Sequence, residues 1–354
     1  VCASTEAVLR VRRVLERSRR APTADNSQPF RFRVDGLRVE VVHRGTDQPL
    51  EELAARLALG CLLEVVSLAA GAEGLASRIS VASGSVAATV QFSEGGVADP
   101  LHVHIEGRAT DRRRFSGGRL EDLRAVVDDE PVAVTSLDRR LRALVASSEG
   151  FTLRHPPTCR SVSQTLRFGQ ELRDRRTGVP FESFGLPVPS HVAVRTLLVR
   201  GADVLALAPL DRLLGPWIAS RLRSSAGLVW AVARDEVGLV AAGRSMLRAW
   251  LKLNAAGWGV QPMSFSSLTL FAAATGRLPP DAPEPWRSRW RDDARWVGER
   301  LGLGAGHPCW MLRVGRSPRL PDALRTPRLP LSTYVTDHTS RSPTRSSDAD
   351  RSSG

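Results

Sequence analysis

The residue types with the most chemistry in them are arginines. Residues 107–120 read G-R-A-T-D-R-R-R-F-S-G-G-R-L, so Arg112, Arg113 and Arg114 follow closely on Arg108 and the hydroxyl of Thr110. Guanidinium forks and a hydroxyl at this spacing suit a phosphate cradle, and the same string also suits a solvated basic turn. A second stretch, residues 20–34, reads R-A-P-T-A-D-N-S-Q-P-F-R-F-R-V. Its small polar residues and its Asn and Gln lie between Pro22 and Pro29 and form a stiff loop. The alternation of Phe30, Phe32 and Val34 with Arg31 and Arg33 makes residues 30–34 a half-buried strand. Such a loop can present backbone and amide hydrogen bonds to a flat polar ligand, or be an ordinary turn before a strand.

The remaining reactive residues point to less. His102 and His104 stand two apart on L-H-V-H-I, the spacing of one strand face, but no third metal ligand is near. Cys2, Cys61, Cys159 and Cys309 are widely spaced and form no C-x-x-C, which suits a reduced, cytoplasmic protein without a metal cluster. The net charge of +13 raises nucleic acid as a partner, yet Lys252 is the only lysine and the arginines are scattered rather than gathered into a stripe interleaved with aromatics. Discrete anion sites fit that pattern better than a phosphate-tracking surface. The most apolar stretch, residues 57–76, is interrupted by Glu64 and Glu73 and reads as a buried helix, not a membrane span. Residues 1–20 lack the apolar core of a signal peptide, and a chain opening on Val1 suits a piece of something longer.

These residues need a scaffold, and 354 residues with 42% apolar and 25% charged content can bury a large core in one or two domains. Helical periodicity covers residues 5–20, 51–72 and 237–257, with further helix expected over 160–176 and over two stretches within 120–149, the second stopping before Gly150. Strands are expected at residues 30–34, 37–42, 79–82, 87–92, 102–105, 132–134, 192–199, 227–233 and 310–315, with a hairpin turn at Asp35-Gly36. Residues 178–189 form a long loop punctuated by Pro and Gly and carrying Phe181, Phe184, Leu186 and Val188, the pattern of a lid or of a loop tucked on the core. Beyond Thr333 almost nothing is apolar, and disorder is expected.

Several of these strings resemble those of the FMN-dependent nitroreductase superfamily. The run from Pro22 to Phe30 is similar to its P-S-x-x-N-x-Q-P-W loop, which packs on the flavin across a dimer interface; the match places Pro22, Thr23, Ala24, Asn26 and Gln28 at the cofactor. Residues 107–115 resemble the R-x-S-x-R-x-F element that holds the FMN phosphate, giving that role to Arg108, Thr110 and Arg112, with one extra residue before Phe115 leaving Arg112, Arg113 and Arg114 as alternatives. Residues 237–264 resemble the helix with A-G and W-L followed by a Q-P turn, after which a backbone N–H meets flavin N5; Met263 and Ser264 fall there, and Ser264-Phe265 replaces the usual acidic-Gly pair. The string R-T-P-R-L-P resembles the C-terminal basic segment that reaches the phosphate, through Arg328 and secondarily Arg325.

The resemblance implies an α+β fold of the nitroreductase type, with mixed, mainly antiparallel sheets flanked by helices. Because the Q-P loop precedes the phosphate element and is not repeated after it, the order resembles fused proteins in which two halves of one chain imitate the usual homodimer. Residues 1–106 would supply the Q-P loop, residues 107–331 the phosphate grip, and residues 332–354 a disordered tail. It further implies one FMN per monomeric pseudo-dimer, NAD(P)H as donor, a nitroaromatic, quinone or similar small acceptor, and no catalytic side chain, since the flavin carries the chemistry. Relatives of this type also occur attached to an adenylating domain. A lidded protein that holds flavin with little turnover is the alternative, and an arginine-rich nucleic-acid binder the second alternative.

Overall fold

The computed structural model describes residues 4–46, 48–82, 86–184 and 210–337. The first helix, α1 (Thr5–Ser18), is capped by Ser4, whose Oγ accepts from the Ala7 N–H, and it buries Val11, Val14 and Leu15. A hairpin of β1 (Phe30–Asp35) and β2 (Arg38–His43) comes next, then the long helix α2 (Pro49–Ala72), β3 (Leu75–Val81) and β4 (Val86–Glu94). These strands form a sheet of order β11-β1-β2-β4-β3, in which β11 (Val335–Asp337) pairs in parallel with β1 and the rest pair antiparallel.

The second part contributes α3 (Leu120–Val127), β5 (Ala133–Thr135), α4 (Arg139–Arg154), α5 (Pro156–Thr165), β6 (Leu166–Arg167), α6 (Gln170–Arg175) and β7 (Val179–Pro180). It continues with α7 (Leu210–Arg223), β8 (Gly227–Ala233), α8 (Gly238–Ala255), β9 (Trp258–Pro262), α9 (Ser264–Ala274), α10 (Glu284–Leu301) and β10 (His307–Arg316). Strands β5-β8-β10-β9 make a second, wholly antiparallel sheet. The architecture is therefore α+β with mixed, mainly antiparallel sheets flanked by helices.

Helices α2 and α8 cross between the two sheets. Gly60 and Gly243 lie at the crossing, where a Cβ on Gly60 would stand 2.1 Å from the Val240 carbonyl oxygen and one on Gly243 would stand 2.2 Å from that of Leu57. The backbones touch because neither residue has a side chain, and one apolar core runs from Phe32 and Val41 through Leu63 and Trp250 to Leu312. By length and composition α2 is apolar enough to cross a membrane, but most of its residues are buried inside this core. Charges close the rim of the seam. Glu64 of α2 accepts from Arg244 (2.8 Å) and Arg248 (3.0 Å) of α8, and Arg248 also reaches Asp99 (2.9 Å) and Glu130 (3.2 Å).

Several elements differ from expectation. Residues 102–105 are not a strand: Pro100–His104 is a 3-10 turn opened by Asp99, which caps the Leu101 N–H and whose carbonyl bonds His102 Nδ1. Pro100 favours a helical first turn, which overrides the alternation of the sequence. Helix α4 runs through Gly150 to Arg154 because Phe151 is buried and rewards its continuation. The single helix expected over residues 160–176 is two short helices separated by β6 and Gly169, which has φ 52°. Residues 258–262, expected as a turn, are strand β9 on the edge of β10. The tail does not stop at Thr333, since β11 pairs Val335 with Phe32 and the Tyr334 side chain is buried. Residues 192–199 and 185–189 lie outside the described residues.

The glycine crossing makes a sharp stability contrast. Gly60→Ala forces helix backbones apart and should cost about 1–3 kcal/mol, whereas Gly298→Ala, in α10 with open space around it, should be neutral or stabilise by up to about 1 kcal/mol. Urea unfolding of the two variants checks this; equal midpoints would mean that the crossing is not tightly packed.

Candidate functional site

A narrow cleft with about 20 Å³ of room for water-sized groups is lined by Arg20, Glu106, Arg108, Ala109, Thr110, Arg112, Leu324, Arg325, Thr326 and Arg328. The two arginine segments read from the sequence thus meet on one cleft. The first is an extended stretch pinned from below: the Ala109 N–H donates to Asn254 Oδ1 at 3.3 Å and the Asp111 N–H to the Val260 carbonyl at 2.8 Å. The second is held extended by Pro327 and Pro330, which lack an N–H and restrict φ.

Not all the arginines are free to take an anion. Asp111 is buried and accepts from Arg113 Nε (2.9 Å) and Nη2 (2.7 Å) and from Ser317 Oγ (2.7 Å). Burial works to raise the Asp111 carboxyl, but the bonds from Arg113 and Ser317 outweigh it and hold the group below the ordinary carboxylate range. Arg113 is therefore committed, Arg114 is exposed, and Arg112 is the member of the triplet that lines the cleft. Arg20 pairs with Glu106 at 2.7 Å and Arg325 with Asp322 at 3.1 Å.

Among the described residues, Arg108 and Arg328 have no carboxylate of this kind. The Arg108 guanidinium lies 4.5 Å from the centre of the Trp250 ring and donates to the Arg20 carbonyl at 2.9 Å. Arg328 is 8% exposed; its Nη2 donates to the Ala21 carbonyl at 3.2 Å, while its Nε and Nη1 are buried with no hydrogen-bond partner among the described residues. Burial, then the charge of Arg328, pushes Arg108 down to about 9. Burial likewise pushes Arg328 down to about 10. Guanidinium groups stay protonated in proteins, so these shifts mark a standing electrostatic cost that a bound anion would offset.

The proline-flanked loop abuts this cleft. Asp25, Asn26 and Gln28 all have positive φ (48°, 54° and 54°), a costly conformation for residues other than glycine. The strain is held by side chains. Asn26 Nδ2 donates to the carbonyls of Arg176 (3.3 Å) and Pro327 (3.2 Å), and Gln28 Nε2 donates to Arg176 O at 2.7 Å. Gln28 Oε1 accepts from the Leu329 N–H at 3.0 Å and from the Tyr334 hydroxyl. Thus Asn26 (5% exposed) and Gln28 (3% exposed) spend their amides on the protein itself, and what the loop offers a ligand is its backbone and its shape. Thr23 Oγ1 accepts from the Gln28 N–H at 3.1 Å; Pro22 is buried at the loop entrance and Ala24 is exposed. Thr23 and Gln28 also line a smaller cavity with Phe30, Phe32, Leu62 and Tyr334.

Met263 and Ser264 do not line the arginine cleft. Met263 is buried, its N–H donating to Met311 O at 2.9 Å, and Ser264 opens α9 with its Oγ accepting from Trp310 Nε1 at 3.2 Å. On the Arg112 side, Arg112 Nη1 donates to Ser183 Oγ at 3.3 Å, Phe184 lies 5.5 Å from that guanidinium, and Arg221 donates to the carbonyls of Arg112 and Phe184. Sequence reasoning missed Arg20, Glu106, Asp111, Arg221 and Tyr334, whose places are set by contacts far along the chain. The R-x-x-x-R-R-R spacing held no sign that Asp111 would claim Arg113. Against known proteins, no family model matches the chain and a search of curated proteins finds no match.

Gln28→Ala would leave the Leu329 N–H and the Tyr334 hydroxyl without their acceptor, at about 1–3 kcal/mol for each buried group left unmatched, while the Arg176 carbonyl keeps Asn26 Nδ2. The expected result is a lower unfolding midpoint together with faster proteolysis at residues 23–28; unchanged cleavage would show that the loop holds its shape without Gln28.

Proposed function

We propose that the chain is an FMN-binding oxidoreductase of nitroreductase type, with the two halves of a dimer in one polypeptide. The observation that carries this reading is Arg328: a buried guanidinium with two unpartnered nitrogens, lining one cleft with Arg108, Thr110 and Arg112 from a distant segment. Three cations not tied up in ion pairs with described carboxylates, together with one hydroxyl, suit a phosphate dianion. The cleft adjoins the strained residue 22–29 loop, which matches the strings that suggested FMN. That β11 from the C-terminal part completes the sheet of the first part, and that α2 and α8 cross as two subunits would, supports the fused-dimer reading.

FMN, when bound, would supply two-electron transfer from NAD(P)H to a quinone or nitroaromatic acceptor. The chain's own part is binding and orientation. Arg108, Arg112 and Arg328 would hold the phosphate, with Thr110 donating or accepting beside them. The rigid residue 22–29 loop would bound one side of the ring system.

The fastening of the chain after β7 favours the second reading, a lidded flavin holder with little turnover. Phe181 is buried and stacks on Phe168 at 4.9 Å, and Arg221 secures Phe184 beside Arg112 at the cleft. Removing that fastening separates the two readings, since Phe184→Ala speeds flavin reduction by NAD(P)H if the segment is a cover and leaves it unchanged if it is packing.

The flavin reading predicts that added FMN raises the unfolding temperature at about one equivalent per chain. Arg108→Ala or Arg328→Ala should weaken FMN about 10- to 100-fold, as the loss of a charge-assisted bond of roughly 1.5–3 kcal/mol requires. Titration calorimetry checks both; no heat and no thermal shift with FMN would rule the cofactor out.

A further inference from the structure

The lining of the arginine cleft carries one charge of the opposite sign. Arg20, Arg108, Arg112, Arg325 and Arg328 bring five guanidinium groups to it, and Glu106 brings a carboxylate. Guanidinium groups only donate hydrogen bonds, and a carboxylate only accepts them. Glu106 is therefore the one lining side chain that acts as an acceptor alone.

This carboxylate is held from both walls. Its Oε2 accepts from Arg20 Nε at 2.7 Å, and the Glu106 main-chain carbonyl accepts from Arg325 Nη1 at 3.1 Å. Arg20 is fixed in turn, since its carbonyl accepts from Arg108 Nη2 at 2.9 Å. The other carboxylate oxygen, Oε1, has no partner among the described residues, and the side chain is 57% exposed. An exposed ion pair of this kind adds little stability, so stability does not account for an acid among these cations.

The effect of the acid falls on what enters. A bare oxyanion has nothing to donate to the carboxylate and meets its charge at close range. A phosphate ester with hydroxyls on neighbouring carbons can set its phosphate on the arginines and donate an O–H to Oε1. We infer that Glu106 is a specificity-determining residue of the cleft, selecting a phosphorylated polyol over inorganic phosphate and over simple alkyl phosphates. The inference rests on the reading of the cleft as a phosphate site, and the ribityl phosphate of FMN belongs to the class selected. Discrimination comes from what the wrong ligand leaves behind: a like charge beside its phosphate and an acceptor with no donor.

Thermal-shift titrations with inorganic phosphate, propyl phosphate and glycerol 3-phosphate test this without any turnover, at a pH where all three are dianions. The two esters share a carbon chain and differ in their hydroxyls. The native chain should bind glycerol 3-phosphate about three- to tenfold more tightly than propyl phosphate. Glu106→Ala should abolish that preference and, by freeing Arg20 and removing a like charge, strengthen inorganic phosphate by about threefold or more. Glu106→Gln, which keeps an acceptor and loses the charge, should strengthen both esters and retain the preference. Glu106 is exposed, so both variants leave the core intact. The same ratio of the two esters in native and Glu106→Ala chains overturns the inference alone, as does a native chain that binds both esters equally. A native chain that binds none of the three ligands overturns the phosphate reading of the cleft and this inference with it.

Discussion

The contact on which the rest depends is the meeting of two helix backbones at Gly60 and Gly243. Carbonyl oxygens of each helix lie well inside van der Waals contact of where the other's Cβ would stand, so any side chain at either glycine would drive the helices apart. That close approach lets α2 and α8 share one apolar core with sheets on either side, and it sets how the two parts of the chain face each other. The Glu64, Arg244, Arg248, Asp99 and Glu130 group then closes the seam with charges that lie partly out of water. Such a group adds little net stability against an apolar alternative, but losing one partner strands the others, so it favours one registry of the helices.

The arginine cleft inherits its geometry from this crossing. Helix α8 carries Trp250, which supports the Arg108 guanidinium, and Asn254, which anchors the backbone next to it. The opposite wall comes from the C-terminal segment, where Pro327 and Arg328 are tied to Asn26 and Ala21. Residues 20–29 and 325–334 therefore form one unit. The C-terminal segment bonds the amides of two of the loop's strained residues, Asn26 and Gln28, and it stays in place because β11 pairs with β1. Arg328, held this way, keeps two buried nitrogens without a hydrogen-bond partner among the described residues, a cost that the surrounding packing bears.

Much of the fold was readable from pattern alone. The alternation in Phe30, Phe32 and Val34, the Asp35-Gly36 turn, and the long apolar faces of α2 and α8 gave elements whose cores are local in sequence. Misreadings fell where a distant contact outweighed local preference. Residues 333–337 form a structured segment because Phe32 and Gln28 receive Val335 and Tyr334. Residues 258–262 are a strand because β10 offers an edge, and Gly150 stays helical because Phe151 has a core to enter.

By itself, then, the sequence determined the residue types at the cleft: which segments carry arginines and hydroxyls, and which loop is stiff enough to bear strain. Only the tertiary structure decided how those groups are used. It committed Arg113 to Asp111, turned Arg112 to the cleft, consumed the amides of Asn26 and Gln28, and brought Arg328 against Arg108 from a distant part of the chain. The physical reason is that a charge or an amide settles with whichever partner folding brings within reach. Spacing along the chain reports only near neighbours, and every one of those choices except the Asp111 pair is made between residues far apart in sequence.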